Sequence, residues 1–218
     1  LVRVVEADDL QAADRAVAEG YRRIKLKIRP GDAEERVRAL RGRYPELLLM
    51  VDANRSWRLA QADELRRLDG YGLVCIEEPF ADTTFDTLAE VQRTFSTPLC
   101  LDESYTCADD LGRAMAHPEL RCVNLKIGKL GGLTPTMNVY SHLSEMGCTV
   151  WMGGMYETGI SKRLHACFES IPGIDIPGDI SPAGDCFAHD LAVPPLTCED
   201  GLAHLGSAPG LGIELDEG

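Results

Sequence analysis

The sequence contains no apolar run reaching the roughly 18 residues that a membrane-spanning helix requires. Its start, LVRVVEADDL, lacks a basic flank followed by a long apolar region, so no signal peptide is visible and a cytoplasmic location is the expectation. Positive charge is scarce. The 22 Lys and Arg stand against 35 Asp and Glu, a formal net charge of −13. That balance repels phosphate at long range and argues against a nucleic-acid or anionic-membrane partner. CxxC pairs are absent: the eight cysteines, at 75, 100, 107, 122, 148, 167, 186 and 198, are scattered, several inside apolar runs such as GLVCIEEP and TPLCLDES. They read as reduced core thiols rather than disulfides or metal ligands. The five histidines, at 117, 142, 165, 189 and 204, show neither HxxxH nor HExxH spacing, which removes the usual zinc signature and leaves each as a surface or helix residue. Low-complexity stretches are missing too, and 218 residues that are 44% hydrophobic can bury one large core.

What is present is a repeat. Short apolar, β-branched runs recur as VRVV (2–5), IKLKI (24–28), LLLMVDA (47–53), LVCIEEP (73–79), LCLDE (99–103), CVNLKI (122–127), TVWMGG (149–154) and, more weakly, IDIPGD (174–179). Between them lie segments with helical spacing, including ADDLQAADRAVAEG, DAEERVRALRGRYP, SWRLAQADELRRLDG and LTPTMNVYSHLSEMG, several ending in Gly or Pro. A βα unit of roughly 25 residues whose strands are apolar along their length implies parallel strands covered by helices. Eight such units predict a (β/α)8 TIM-type barrel over residues 1–205, near the lower end of that fold's size range, with a tail over 206–218 packing on it. A doubly wound open sheet is the alternative, although VEADDLQ after the first strand has no glycine-rich phosphate loop.

Polar residues fall into step with this repeat. Lys27, Asp52, Glu77 and Asp102 are spaced 25 apart and Lys126 follows 24 later, each at or near the C-terminal end of its strand. Singly, each reads as an ordinary strand-end charge facing solvent; together they converge on the end where such barrels place their active sites. Three converging carboxylates repel one another unless a cation sits among them. All-oxygen ligands with room for substrate and water suit Mg2+ better than a Ca2+ cage. Lys25 and Lys27 share one strand face. Pointing inward, Lys25 is a like charge that lowers the pKa of Lys27 and makes it a base near neutral pH; on an edge strand, both are simply solvated. Strands two and six oppose each other in an eight-stranded barrel, which sets Lys27 and Lys126 across the mouth. Gly153 and Gly154 either let a substrate approach the backbone or form a tight bend. Glu103 and Glu157 either orient site groups or lie on the surface.

The stretches KLKI, VDAN, IEEP, LDES and NLKIGKLGG, in this order, resemble the enolase superfamily and specifically its muconate-lactonizing subgroup. GGMYETG, PGDIS and the tail PGLGIELDEG are similar to its o-succinylbenzoate synthase and N-acylamino acid racemase group. WMGGMYE lacks the strand-seven histidine of mandelate-racemase-like members, and DIP stands where dipeptide epimerases carry DxD. The resemblance implies Lys27 and Lys126 as catalytic lysines, supported by Lys25 and Asn54. It implies Asp52, Glu77 and Asp102 as ligands of Mg2+, with Mn2+ as a substitute, and Gly153, Gly154 and Met155 facing the substrate. The implied chemistry removes the proton α to the carboxylate of a small substrate, a succinylbenzoate precursor or an N-acylamino acid, giving an enediolate whose charge the metal offsets. Racemisation uses both lysines; in β-elimination the second only stabilises charge. Family members also carry an N-terminal α+β capping domain, whereas this sequence starts at about the first barrel strand. The expectation is a fragment; a cap from another chain and a capless protein are the alternatives. A truncated, non-catalytic metal-binding barrel is the competing function, and a homo-oligomer is left open.

Overall fold

The computed structural model describes residues 2–5, 10–174, 176–182 and 187–216. Seven strands, β1 (Val2–Val5), β2 (Arg23–Lys27), β3 (Leu48–Asp52), β4 (Ile76–Glu77), β5 (Leu99–Leu101), β6 (Cys122–Leu125) and β7 (Thr149–Met152), pair in sequence order as one parallel sheet. Eight helices connect and follow them: α1 (Leu10–Ala18), α2 (Ala33–Arg43), α3 (Ala62–Arg66), α4 (Phe85–Gln92), α5 (Ala108–Met115), α6 (Ile127–Leu130), α7 (Leu133–Glu145) and α8 (Gly159–Glu169). The helix predicted over 56–70 is broken, with α3 flanked by tight 3-10 turns at Leu59–Gln61 and Arg67–Tyr71. Asp69 in the second turn spends its carboxylate on the backbone N–H groups of Ser96 (3.0 Å) and Thr97 (2.9 Å), tying that turn to the entry of β5.

Strand alternation divides the sheet's side chains between two surroundings. Ile24, Leu26, Leu49, Val51, Ile76, Leu99, Leu101, Val123, Leu125, Val150 and Met152 join one core with helix residues such as Val37, Leu40, Leu111, Leu143 and Phe168. Each side chain so buried contributes about 1.5–3 kcal/mol. The alternate residues Met50, Cys75, Cys100, Cys122 and Trp151 form a separate buried cluster on the other face of the sheet. Cys75, Cys100 and Cys122 are core thiols as predicted; Cys107 is exposed, Cys148, Cys167 and Cys198 are partly covered, and Cys186 lies outside the described residues.

Among the described residues the closed eight-stranded barrel does not form: the sheet is a parallel half-barrel whose edges are β1 and β7. IDIPGD (174–179) contributes no strand among its described residues. Pro177 has no N–H to give a ladder, which weakens a strand there. The segment is instead held across the gap. Asp179 N–H donates to Met152 O on β7 at 2.8 Å, the Arg23 guanidinium on β2 donates to Pro177 O, and Lys25 Nζ stands 3.7 Å from Asp179 Oδ2. Beyond α8 lie two small antiparallel pairs: β8 (Ala192–Val193) with β11 (Glu214–Leu215), and β9 (Thr197–Glu199) with β10 (Leu202–His204).

Glu169, the last residue of α8, packs against Gly178, where a Cβ would fall 1.3 Å from Glu169 Oε1. That oxygen is buried without a hydrogen-bond partner, and burial pushes the carboxyl up to about 7. Between pH 4.5 and about 7 the unfolded chain therefore sheds a proton that the folded chain keeps, and stability falls as pH rises. At about 1.4 kcal/mol per pH unit, that window is worth roughly 3 kcal/mol. Glu169→Gln should remove this slope, so denaturant titrations at pH 5 and pH 8 should show the variant gaining on the parent at the higher pH. Parallel stability profiles for the two proteins would contradict the assignment.

Candidate functional site

The C-terminal ends of β2 to β6 carry a continuous belt of charge. Lys27 Nζ donates to Asp52 Oδ2 (2.7 Å) and Asn54 Oδ1 (2.6 Å), and Asn54 Nδ2 donates to Glu103 Oε1 (2.9 Å). Lys25 Nζ lies between Asp52 Oδ2 (2.8 Å) and Glu77 Oε2 (2.9 Å). Its approach to Glu77 is that of an ion pair, without hydrogen-bond geometry. Asn124 Nδ2 links Glu77 Oε1 (2.7 Å) to Asp102 Oδ2 (3.3 Å). Asp102 then accepts from Lys126 Nζ (2.8 Å) and Lys129 Nζ (2.8 Å). Strand alternation explains the belt. Lys25, Asp52, Glu77, Asp102 and Asn124 each stand two residues beyond Arg23, Met50, Cys75, Cys100 and Cys122, so they occupy the next inward layer above the sulfur cluster.

The electrostatics follow from burial and from this order. Burial pushes the Glu77 carboxyl well above the carboxylate range, and the flanking Asp52 and Asp102 push it the same way. Burial also opposes ionisation of Asp52, but Lys25 and Lys27 outweigh it and hold that carboxyl low; Lys126 and Lys129 do the same for Asp102. For Lys25, desolvation works against the charge and the carboxylates of Glu77, Asp52 and Asp179 overcome it, leaving the ammonium more basic than usual. Lys25, predicted as a like charge beside Lys27, is itself matched by three carboxylates. Asp52, Glu77 and Asp102 offer oxygen donors only, and a fully buried carboxyl destabilised by two neighbours is what a hard divalent cation would relieve.

Several residues that the spacing did not single out hold this arrangement. Glu78 is buried, and its Oε2 accepts from Asp102 N–H (2.8 Å) and Ser104 Oγ (3.0 Å) while its Oε1 meets Arg55 Nε (3.0 Å). Asn54, Arg55 and Glu78 all adopt positive φ, at 41°, 58° and 36°, which costs a non-glycine residue energy and is concentrated at functional sites. Tyr105 OH donates to Asn124 O (2.6 Å) and accepts from Lys126 N–H (3.1 Å), fixing the end of β6. Asn124 and Lys129 could have been found from the sequence: one precedes Lys126 by two residues on the same strand face, the other follows it by one helical turn. Asp179 ended the predicted eighth strand and lies in PGDIS, but its pairing with Lys25 could not be read from spacing, because the segment that carries it forms no strand among its described residues.

The belt lines a cavity of about 490 Å³ whose opposite wall includes Met155, Tyr156, Glu157, His165 and Ser181. Lys27 and Lys126 both line it, as predicted for residues facing one mouth. Gly153 is buried, whereas Gly154 lines the cavity, and both sit close against neighbouring groups. A Cβ on Gly153 would meet Asn124 Oδ1 at 1.9 Å, and one on Gly154 would meet Asp179 O at 2.2 Å. Glu103 reaches the belt through Asn54. Glu157 instead turns to its own wall, accepting from Ser161 Oγ (2.8 Å) and Met155 N–H (3.3 Å) and facing His165 Nδ1 at 3.4 Å. His165 is a helix residue as predicted, but it is buried, and that burial holds its imidazole below the usual range.

The family model described as enolase C-terminal domain-like matches residues 8–218. The chain is 37% identical over 210 residues to o-succinylbenzoate synthase of Geobacillus stearothermophilus, a match covering 96% of this chain and 56% of that protein. It is 38% identical over 208 residues to N-succinylamino acid racemase of Thermus thermophilus, covering 95% and 56%. The chain thus spans little more than half the length of these relatives. Among solved structures, an enolase superfamily member from Enterococcus faecalis superposes with a TM-score of 0.92 at 37% identity, covering 99% of this chain and 59% of that one. A muconate lactonizing enzyme from Pseudomonas fluorescens does so with a TM-score of 0.86 at 26% identity, covering 97% and 58%.

Removing the cation that joins two buried carboxylates leaves Asp52 to Lys27 alone and Glu77 to one amide donor. In metal-free buffer at neutral pH, Lys25→Met should therefore lose roughly 3–5 kcal/mol of stability. Urea denaturation measures it directly, and an unchanged midpoint would show that Lys25 does not hold the belt together.

Proposed function

The chain belongs to the enolase C-terminal domain-like family, and from that premise we propose an enzyme that removes the proton α to a carboxylate. In this reading Lys27 and Lys126 handle the proton, and Asp52, Glu77 and Asp102 hold Mg2+, with Mn2+ as a substitute. The observation that carries it is the placement of these two lysines at opposite ends of one carboxylate belt lining one cavity. When bound, the cation supplies positive charge opposite the charge that builds on the substrate carboxylate as the proton leaves. Lys27 Nζ, gripped by Asp52 and Asn54, and Lys126 Nζ, gripped by Asp102, are positioned to take and return a proton from two directions. Lys25 stays charged and keeps Asp52 and Glu77 together.

The names of the relatives favour a substrate with a succinyl or other acyl arm, as in an o-succinylbenzoate precursor or an N-succinylamino acid. The cavity wall formed by Met155, Tyr156, Ile180 and Ser181 mixes apolar and polar groups in a way that suits such an arm. Tyr156 is 93% exposed at this mouth, so turnover needs a cover that excludes water, and the chain alone is proposed to be a slow catalyst.

Two measurements test the reading. Calorimetric titration should show Mg2+ binding that Asp102→Asn loses; equal affinity in the two proteins would remove these carboxylates from the metal site. In D2O and in the capped, active form, Lys27→Ala and Lys126→Ala should each lose racemisation by about 100- to 10,000-fold while each still exchanges the α-proton of one enantiomer, a different one in each case. Exchange of both enantiomers at similar rates in either variant would defeat the two-base assignment. Mg2+ binding with no exchange even in the capped parent protein would favour a non-catalytic metal-binding barrel.

A further inference from the structure

One layer beneath the carboxylate belt, the sheet interior is lined with sulfur. Cys75, Cys100 and Cys122 come from the β4, β5 and β6 segments, and their three Sγ atoms lie within 4.8 Å of one another. All three are sealed, at 0%, 1% and 0% exposure. Cys100 and Cys122 are direct register partners on neighbouring strands, and Met50 adds a thioether to the same cluster. No disulfide joins the three. Their geometry is thus three convergent sulfur donors with a further sulfur alongside, on strands held in place by their backbone ladders.

A second feature of this layer is a cation without a carboxylate partner. Arg23 is 0% exposed. Its guanidinium donates to Pro177 O and Met50 Sδ, lies 4.2 Å over the Trp151 ring, and makes no ion pair with a carboxylate among the described residues. Trp151 Nε1 in turn donates to Cys100 Sγ at 3.4 Å. A buried guanidinium with no ion-paired anion is costly, and Cys75 and Cys100 stand with Glu77 and Asp179 among the groups whose negative charge would offset it.

We infer that Cys75, Cys100 and Cys122 form a site for one thiophilic divalent cation, of the Zn2+ and Cd2+ class, stacked directly below the carboxylate belt. Binding replaces three S–H bonds with three metal–thiolate bonds and releases three protons to solvent. A divalent ion on three thiolates carries one net negative charge, and Arg23 supplies the single positive charge that cancels it. Sulfur ligands select such an ion over Mg2+, which stays with the oxygen donors one layer, about 7 Å, above. Loading accompanies folding or opening of the sheet, since the thiols are sealed. The ion would clamp β4, β5 and β6 together at mid-sheet and raise the melting temperature. The cysteines, read from sequence as inert fillers of the core, would then include one set of metal ligands.

The test uses the full chain refolded under reducing conditions with excess Mg2+ to fill the carboxylates and Cd2+ as the probe. The expected result is uptake of one Cd2+ with an ultraviolet thiolate-to-cadmium charge-transfer band, a higher melting temperature, and an X-ray absorption signal from sulfur neighbours only. Cys75→Ser, Cys100→Ser and Cys122→Ser should each lose the band, whereas Cys107→Ser, at an exposed position, should keep it. No Cd2+ uptake, an oxygen-only shell, or a band that survives Cys100→Ser would overturn the site. Should the serine variants fail to fold, the absorption signal of the parent protein still decides between sulfur and oxygen ligands.

Discussion

Everything at the mouth of this sheet depends on placing three carboxylates side by side in a sealed interior. Asp52, Glu77 and Asp102 are 1%, 0% and 3% exposed, and without compensation their mutual repulsion and desolvation would exclude the arrangement. The compensation is interleaved along the belt: a lysine beyond Asp52, a lysine between Asp52 and Glu77, an asparagine amide between Glu77 and Asp102, and two lysines on Asp102. Glu77 has the least compensation, sharing only Lys25 and one amide hydrogen bond, and its carboxyl is accordingly the one pushed upward.

The same constraint explains the supporting structure. Glu78 turns away from the belt at positive φ so that its carboxylate can hold the Asp102 backbone, while Gly153 omits a side chain so that Asn124 can fit. Strained or space-limited backbone around charged groups is tolerable because the parallel ladder below it is rigid and buried. Beneath the belt, the layer of Met50, Cys75, Cys100, Cys122 and Trp151 closes the interior, and Arg23 anchors the irregular 176–182 segment to β2. One strand, β2, therefore carries three successive inward cations, each meeting a different environment: sulfur and a ring at Arg23, carboxylates at Lys25, and the open cavity at Lys27.

Much of this was legible in the order of residues. Seven of the eight predicted strands appear, because apolar β-branched runs bounded by turn residues have few other ways to hide their side chains. The 25-residue step of Lys27, Asp52, Glu77 and Asp102 anticipated one mouth, because in-register parallel strands carry equivalent positions to the same end. The contacts of Glu78 and Asp179 were not legible. One is the neighbour of a more obvious glutamate; the other reaches the site from a segment whose proline keeps it out of the ladder.

Sequence alone determined the alternation of strand and helix, the face on which each charge would lie, and which residues share a layer, since these follow from a period of two along a strand and a near-constant repeat length. Only the tertiary structure decided how the charges are matched. Lys25 pairs with Asp52, Glu77 and Asp179 rather than acting on Lys27 alone, and the space at Gly153 belongs to Asn124. Among the described residues the half-barrel's open edge is bridged by Arg23 and Asp179 instead of an eighth strand, and three distant cysteines meet beneath the carboxylates. The reason is that spacing along a chain specifies direction, whereas ion pairing and burial depend on distances between strands that only the folded sheet brings together.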